Sequence, residues 1–371
     1  MKLHELARIG TDEELPTSIE LEDCAGSHER LQVREWLRAT PIHHDALALW
    51  QGRNVLARLL TGPDAGLSLE REKAGMNQLA AQGLPRLVPL KEGRTPTSGA
   101  WMLYEAAEDL QSLGAAWASL ASQPPLTDAQ QSLIGEALGA LGGLHGKGFW
   151  PADPEFRHFI RQQGQVGLID AGALCRETPG TPLGQGKVLE NLGLFFAQLP
   201  ASFEPWFEEL LVFYLLANGE HALPLEALLK KVAAARERRM RQHLPQLERD
   251  SPVCHVTRDA GMRRAVLRSE QARLRAILAD PHAALRDGSP CPAGGDVLAV
   301  RLQTSAGPVR MIRYPAPTGL RRLLASPAWR AWLDGQRRYL LGETTRRPLA
   351  VLEHRRFGLR GMSYLITESE A

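Results

Sequence analysis

The sequence predicts an α+β protein in which one pattern occurs twice: an antiparallel sheet carrying a helix, a helical half after it, and then the sheet and helix again. Three observations predict this. The runs DALALWQ and NVLARLLT (45–61) alternate apolar residues around a glycine-containing turn, as a hairpin does. TDAQQSLIGEALGALGGLHG (127–146) has apolar residues at 133, 134, 137, 138, 141 and 144, one face of a helix, and opens with Thr127 and Gln130 at capping-box spacing. DVLAVRLQ, TSAGP and VRMIRYP (296–315) then repeat the hairpin pattern near the other end.

The 371 residues exceed one ordinary domain. Hydrophobic content of 44% and charged content of 23% are those of a globular protein. A formal net charge of +2 offers no basic excess for nucleic acid, and no nucleic-acid partner is expected. The most apolar stretch, LLVFYLLA (210–217), follows Glu208 and Glu209 and is far shorter than the roughly 20 residues of a membrane span. MKLHELARIGTDEE has no apolar signal core, so a cytoplasmic location is expected. Cys24, Cys175, Cys254 and Cys291 form no CxxC pair and read as reduced thiols without a zinc site.

In chain order, residues 1–40 read as polar and irregular at first. The hairpin follows, then LSLEREKAGMNQLAAQG (67–83), a helix with a glycine stop. LPRLVPLKE (84–92) and WMLYEAAED (101–109) read as strands. After Pro124-Pro125 the character becomes helical. HGKGFWPADPEFRHFIRQQGQVGLIDAG (145–172) ends a helix, places Asp153 in a loop, and places Asp170 just after an apolar strand. Asp153 also reads as an ordinary loop acid beside Pro154. An Asp after VGLI, if buried, must be paired or bind something. Helices run on to about 247. Within them Lys230, Lys231, Arg236, Arg238, Arg239 and Arg241 form a basic segment, read first as a solvated face with compensating glutamates. MRRAVLRSEQARLRAIL (262–278) reads as an amphipathic linker helix. SPAWRAWLDGQRRYLLG (326–342), RRPLAVLEHRR (346–356) and GMSYLITES (361–369) match the first helix and its two following strands in order, which an internal duplication explains economically. The second copy stops where its helical half would begin; a truncated product and a half domain both fit.

Two strands, a helix, two strands and a helical lobe is the protein-kinase-like order. LEREKAGMNQLAAQGLPRLVPL and LHGKGFWPADPEFRHFI…VGLIDAG resemble the lipopolysaccharide core kinase family (Kdo and heptose kinases, also called InaA-like), and residues 277–371 resemble the N-lobe of the same family. The resemblance implies a bilobal kinase-like domain followed by a second N-lobe. It divides the chain into an N-terminal extension (1–34), an N-lobe (35–108), a C-lobe (109–250), a linker helix (251–276) and the second N-lobe (277–371).

The resemblance also assigns roles. Asp153 falls at the catalytic Asp and Asp170 at the magnesium Asp. Glu72, with Glu70 as a rival, falls at the helix Glu. The position of the nucleotide-binding Lys is Arg58, and Arg is not interchangeable with Lys there. His158 stands where a magnesium-binding Asn is expected, and imidazole suits magnesium poorly. Pro151 replaces a His, and the first hairpin, LRATPIHHDALALW, lacks glycine at its turn. In the second copy Gly294 and Gly295 resemble a remnant phosphate loop, and Arg313 again takes the Lys position.

Two functions follow as expectations. One is a pseudokinase or scaffold in lipopolysaccharide core assembly or transport. The other is an active kinase using ATP and Mg2+ to phosphorylate a core sugar, heptose or Kdo. Partners implied by the resemblance are core glycolipid or core-assembly proteins, with inner-membrane contact through 230–241. A composite site formed with the second N-lobe is left open. If the cleft is filled by Trp150, Phe156 or His158, the pseudokinase reading gains.

Overall fold

A computed structural model describes residues 2–8, 17–22, 24, 26, 28–40, 42–95, 99–121, 123–259, 261–292, 297–304, 307–319, 326–341, 343, 346–356 and 359–369. The chain divides into two compact units, Met1–Ala233 and Ala234–Ala371.

The first unit opens with a 3₁₀ turn, Leu3–Arg8, and the strands β1 (Ser18–Glu22), β2 (His28–Ala39), β3 (His43–Trp50) and β4 (Arg53–Thr61). Helix α1 (Ala65–Ala81) and strands β5 (Pro89–Thr95) and β6 (Gly99–Glu105) follow. The six strands form one antiparallel sheet in the order β1-β2-β3-β4-β6-β5. The β3–β4 turn puts Gln51 and Gly52 at φ 49° and 77°, the left-handed geometry that matches the twist of paired strands.

Alternation along β4 sorts its residues between two faces. Val55, Ala57 and Leu59 join Leu31, Ala46, Ala48, Trp101 and Leu103 in an apolar core that Leu3 and Leu6 also enter. Arg58 therefore lies on the opposite face, where α1 packs.

Residues 28–39, read from sequence as irregular, are a twelve-residue strand. Two register shifts, between Val33 and Glu35 and between Trp36 and Arg38, interrupt the two-residue period that would have revealed it. The strand expected at 84–92 starts later, at Pro89.

The rest of the unit is mostly helical. It contains β7 (Gln111–Ser112), α2 (Leu113–Leu120), α3 (Asp128–His145), β8 (Phe149–Pro151), β9 (Phe159–Gln162), β10 (Gln165–Leu168) and β11 (Leu174–Arg176). Then come α4 (Gln185–Phe196), α5 (Phe207–Ala217) and α6 (Leu225–Leu247), a helix that runs across the boundary between the two units. Thr127 and Gln130 form the expected reciprocal capping box of α3. Phe156 stacks on Trp117, with ring centroids 4.9 Å apart, and meets Phe195 edge-on at 5.2 Å.

The second unit contains β12 (Cys254–Arg258), β13 (Met262–Leu267), α7 (Gln271–Ala279), α8 (Pro281–Asp287) and β14 (Ser289–Cys291). It continues with β15 (Leu298–Thr304), β16 (Gly307–Tyr314), α9 (Pro327–Leu340), β17 (Pro348–Arg356) and β18 (Leu359–Glu368). Its sheet order is β12-β13-β17-β18-β16-β15-β14. The run β15-β16-β18-β17 with α9 has the connectivity of β3-β4-β6-β5 with α1. Trp329 and Trp332 of α9 pack on Ala265, Leu267, Val351 and Leu365. Leu274, Ile277 and Leu285 cover the other face.

The segment 262–278 is not one helix. Ala265, Val266 and Leu267 end a buried strand between β12 and β17, a 3₁₀ turn spans Arg268–Glu270, and the α-helix begins only at Gln271. Among the described residues no helix is long and apolar enough to cross a membrane.

Candidate functional site

The charged residues of the first unit converge beneath α1. The β3–β4 register sets Asp45 directly opposite Arg58, and the β4–β6 register sets Met102 on its other side. Arg58 is 3% exposed and Asp45 is fully buried. Arg58 Nε donates to Asp45 Oδ1 at 2.9 Å and Nη2 to Asp45 Oδ2 at 3.3 Å, a fork-to-carboxylate pair. Nη1 donates to Glu72 Oε2 at 2.6 Å and to Asp170 Oδ1 at 3.3 Å. An Arg has five N–H donors, and four of them are thus engaged by three carboxylates. Burial alone would lower the guanidinium's pKa, but Asp45, Glu72 and Asp170 hold it well above its ordinary value.

Glu72 comes from the buried side of α1. Its carboxylate also accepts from Tyr104 Oη at 2.9 Å and from the amides of Ala171 and Gly172 at 3.3 and 2.8 Å. Burial pushes its pKa up while Arg58 opposes the shift. The surrounding donors are those an ionised carboxylate requires. Its sequence rival Glu70 stays at the surface, paired with Arg94 and Lys73.

Close contact between α1 and the 171–173 turn makes these amide bonds possible. A Cβ on Gly75 would lie 2.0 Å from the Ala171 carbonyl oxygen, so only glycine fits there.

Asp170 follows the β9–β10 hairpin. Its second oxygen, Oδ2, accepts from Arg38 Nη1 at 2.9 Å. Arg38 in turn lies opposite Asp45 in the β2–β3 register. Burial would raise the Asp170 pKa, but Arg58 and Arg38 outweigh it and hold the carboxyl below its ordinary range. Arg38 Nη2 also lies 3.4 Å from His43 Nδ1. Burial, together with the Arg38 and Arg58 charges, lowers the His43 pKa and keeps that ring neutral.

Arg58, Glu72 and Asp170 are therefore brought together as the sequence suggested. Asp45 and Arg38, which sequence reasoning did not single out, complete the cluster. Their signal was a charge within an alternating strand, which counts only once the register is known.

The other expected residues lie elsewhere. Asp153 sits on a half-exposed loop, its Oδ2 3.5 Å from Arg157, and its carbonyl meets His158 Nδ1 at 2.7 Å. His158 also binds Ile169 through its carbonyl, so it braces the loop. Among the described residues no group of three or more His, Cys, Asp or Glu side chains is placed to hold a metal ion. With both Asp170 oxygens on guanidinium groups and His158 on a carbonyl, the expected magnesium ligands do not fit that ion in this arrangement.

Phe156 belongs to the aromatic core, and Trp150 lies beneath the Lys187 ammonium at 5.2 Å. It is the Arg38–Asp170 pair, rather than these rings, that closes over Arg58. Gly294 and Gly295 lie outside the described residues. Arg313 is opposite Tyr364 in the β16–β18 register, on the face turned away from α9. It therefore cannot pair with that helix as Arg58 pairs with α1. In the basic segment of α6, Lys230 pairs with Glu226 and Arg241 with Glu237, while Arg236 is buried.

A second polar chain positions the 149–153 loop. Asn218 Nδ2 donates to Tyr214 Oη, which donates to His145 Nδ1; His145 Nε2 donates to Asn191 Oδ1, and Asn191 Nδ2 donates to the Pro151 carbonyl. An amide oxygen can only accept, which places the His145 proton on Nε2. Burial lowers the His145 pKa to about 4.

A cavity of about 390 Å³ lies apart from the ion cluster, between α3 and the β9–β10 hairpin.

No family model matches the sequence, and no curated protein matches it. Similar solved structures include WaaP in complex with acyl carrier protein, at 13% identity and a TM-score of 0.37, covering 57% of this chain and 88% of that one. Another is vaccinia related kinase 3, at 13% identity and a TM-score of 0.36, covering 64% and 80%. At such values the functional argument rests on the side chains described above.

Proposed function

We propose that the first unit is a kinase-like module that keeps the frame of a phosphoryl-transfer site but has turned its charges onto one another, and that it acts as a pseudokinase. Three parts support the frame: a cation on an inner strand, a helix carboxylate bracing it, and an acid after the β9–β10 hairpin. The observation that carries the pseudokinase reading is the saturation of Arg58 and Asp170. A nucleotide phosphate would have to displace Asp45 from Arg58, and a magnesium ion would have to displace Arg38 from Asp170.

The resemblance to lipopolysaccharide core kinases supports a scaffolding or binding role in core assembly or transport, with core glycolipid or another assembly protein as partner. The shared strand order supports reading 277–371 as a second N-lobe. Its helix turns Trp329, Trp332 and Gln336 inward where α1 has Glu72, which suits a binding module that lacks the Arg58–Glu72 brace beneath its helix.

One observation favours the alternative of an active ATP-dependent sugar kinase: the Arg58–Glu72 brace is intact at 2.6 Å. In that reading Asp153 would accept the hydroxyl proton, and Asp170 would be open to a divalent cation only with Arg38 displaced from it.

The test is the melting temperature of the full chain with ATP or ADP, with and without Mg2+ or Mn2+. A ligand that binds only the folded state raises it. No metal-dependent rise is expected at millimolar nucleotide. A metal-dependent rise that vanishes in Asp170→Ala would overturn the proposal in favour of the kinase.

A further inference from the structure

In the second unit the strand register forces two cations together. Arg301 of β15 is the direct cross-strand partner of Arg310 of β16. Directly opposed residues share a face with Cβ atoms about 5 Å apart, and like charges there destabilise the pair. Arg346, from the segment leading into β17, reaches the same place. The three arginines, with Glu368 and Ser369, line a pocket of about 220 Å³.

Among the described residues Glu368 is the one acid lining the pocket, and one of its oxygens already accepts from the Arg347 amide. Burial also pushes the Glu368 pKa up, towards the neutral form. Arg310 is anchored, because its Nη2 donates to the Pro292 carbonyl. Its Nε is buried without a hydrogen-bond partner. Buried donors in native proteins are satisfied, and a donor on a cation is satisfied best by an anion. The two opposed guanidinium forks of Arg301 and Arg310 present donors of the kind that suits the terminal oxygens of a phosphate.

We propose that this pocket is a binding site for a phosphomonoester group. Its volume admits one phosphate and the first atoms of whatever carries it, but not a whole nucleotide. Bound anion would relieve the Arg301–Arg310 repulsion, so occupancy and the stability of the β14–β15–β16 edge rise together. A soluble phosphate ester and a phosphorylated lipid headgroup share this chemistry.

The experiment uses the full chain at fixed ionic strength in chloride. Melting temperature is followed against inorganic phosphate and pyrophosphate. Co-flotation is measured with phosphatidylcholine vesicles, with and without phosphatidic acid. The variants are Arg301→Gln, Arg310→Gln and, as a control, Arg338→Gln on the exposed side of α9, where Arg338 lies near Glu343.

A saturable rise with the phosphate probes is expected, with affinity weakened about ten-fold or more in the first two variants and unchanged in the control. Without added anion, Arg301→Gln should melt above the parent chain, because it removes the like-charge pair. A response to the soluble probes alone assigns a soluble ester; flotation with phosphatidic acid that the same variants lose assigns a headgroup. The proposal is overturned if neither probe type binds, or if the response survives in both Arg301→Gln and Arg310→Gln. Because the nucleotide test reads metal dependence and Asp170, the two results are separable.

Discussion

Replacing Arg58 with Met removes the one guanidinium that three carboxylates share. Asp45 and Glu72 are then left buried, at 0% and 2% exposure, with unequal compensation. Glu72 keeps Tyr104 and two backbone amides. Asp45 keeps only Arg38, whose Nη1 is 4.0 Å away. Methionine fills much of the space, so the cost is electrostatic rather than a cavity. Removing one partner of a buried ion cluster costs about 3–5 kcal/mol, and the upper half of that range applies because two acids are stranded. Glu72, whose pKa burial already raises against the pull of Arg58, escapes by protonation once that cation is gone, so the loss is greatest near pH 7 and shrinks as pH falls. Arg58→Lys keeps a charge but cannot fork across Asp45 and Glu72 together, and should cost roughly half as much. The assay is hydrogen exchange of the α1 and β4 amides at pH 7 and pH 5, which reads the first unit alone. A loss in Arg58→Met below about 1 kcal/mol, or one of equal size at both pH values, would refute the claim that the cluster is ionised and mutually dependent.

Other outcomes follow from the same geometry. Gly75→Ala gains about 1 kcal/mol of helix propensity but drives a methyl into the Ala171 carbonyl. It should lose about 2 kcal/mol net, with the Ala171 and Gly172 amides exchanging faster. Glu70→Ala should change stability by less than about 0.5 kcal/mol, because its partners are at the surface, whereas Glu72→Ala should cost several-fold more; urea titration separates them. The unfolded chain takes up a proton on His145 near pH 6.5 and the folded chain only near pH 4. His145 therefore contributes fully above about pH 6.5 and loses roughly 3 kcal/mol of stability as pH falls to 4. His44, also lowered to about 4 by burial, adds to the same window. A first unit whose stability stays flat from pH 7 to pH 4.5 would contradict both assignments.

The sequence made the hairpins, the capped α3 and the pairing of strand order between the two halves legible, because each rests on local spacing. It did not reveal β2. The two bulges shift the strand's inward side twice, so Leu31 and Val33 point to the core by one alternation while Trp36, between the bulges, packs on the same core by the other. Register decides the rest. Glu70 and Glu72 are two residues apart on one helix, and only packing against the 171–173 turn selects Glu72. Arg313 has the right neighbours in sequence but the wrong parity: Ile312 packs towards α9 and Arg313 points away. One residue along a strand reverses the side that a charge serves.

Asp45 is the residue that most changes the meaning of the site. A lysine at 58 would offer a single ammonium, able to bridge Glu72 and Asp170 and still turn a proton towards a phosphate. Arginine offers a planar fork, and here two of its N–H groups are already committed to Asp45 on the neighbouring strand. Asp45 without Arg58 would be a buried charge left with Arg38 at 4.0 Å, and Arg58 without Asp45 would keep donors for a ligand. Arg38 repeats the arrangement one strand further out, spending its charge on Asp170 and lying near Asp45. The two arginines and three acids leave one net negative charge for a cluster that is almost wholly buried. Bringing in a phosphate would therefore add like charge to a site already negative, and bringing in a cation would require Arg38 to leave first. Both steps run against the electrostatics of the resting arrangement, and it is on this, more than on any missing residue, that the proposed pseudokinase reading rests.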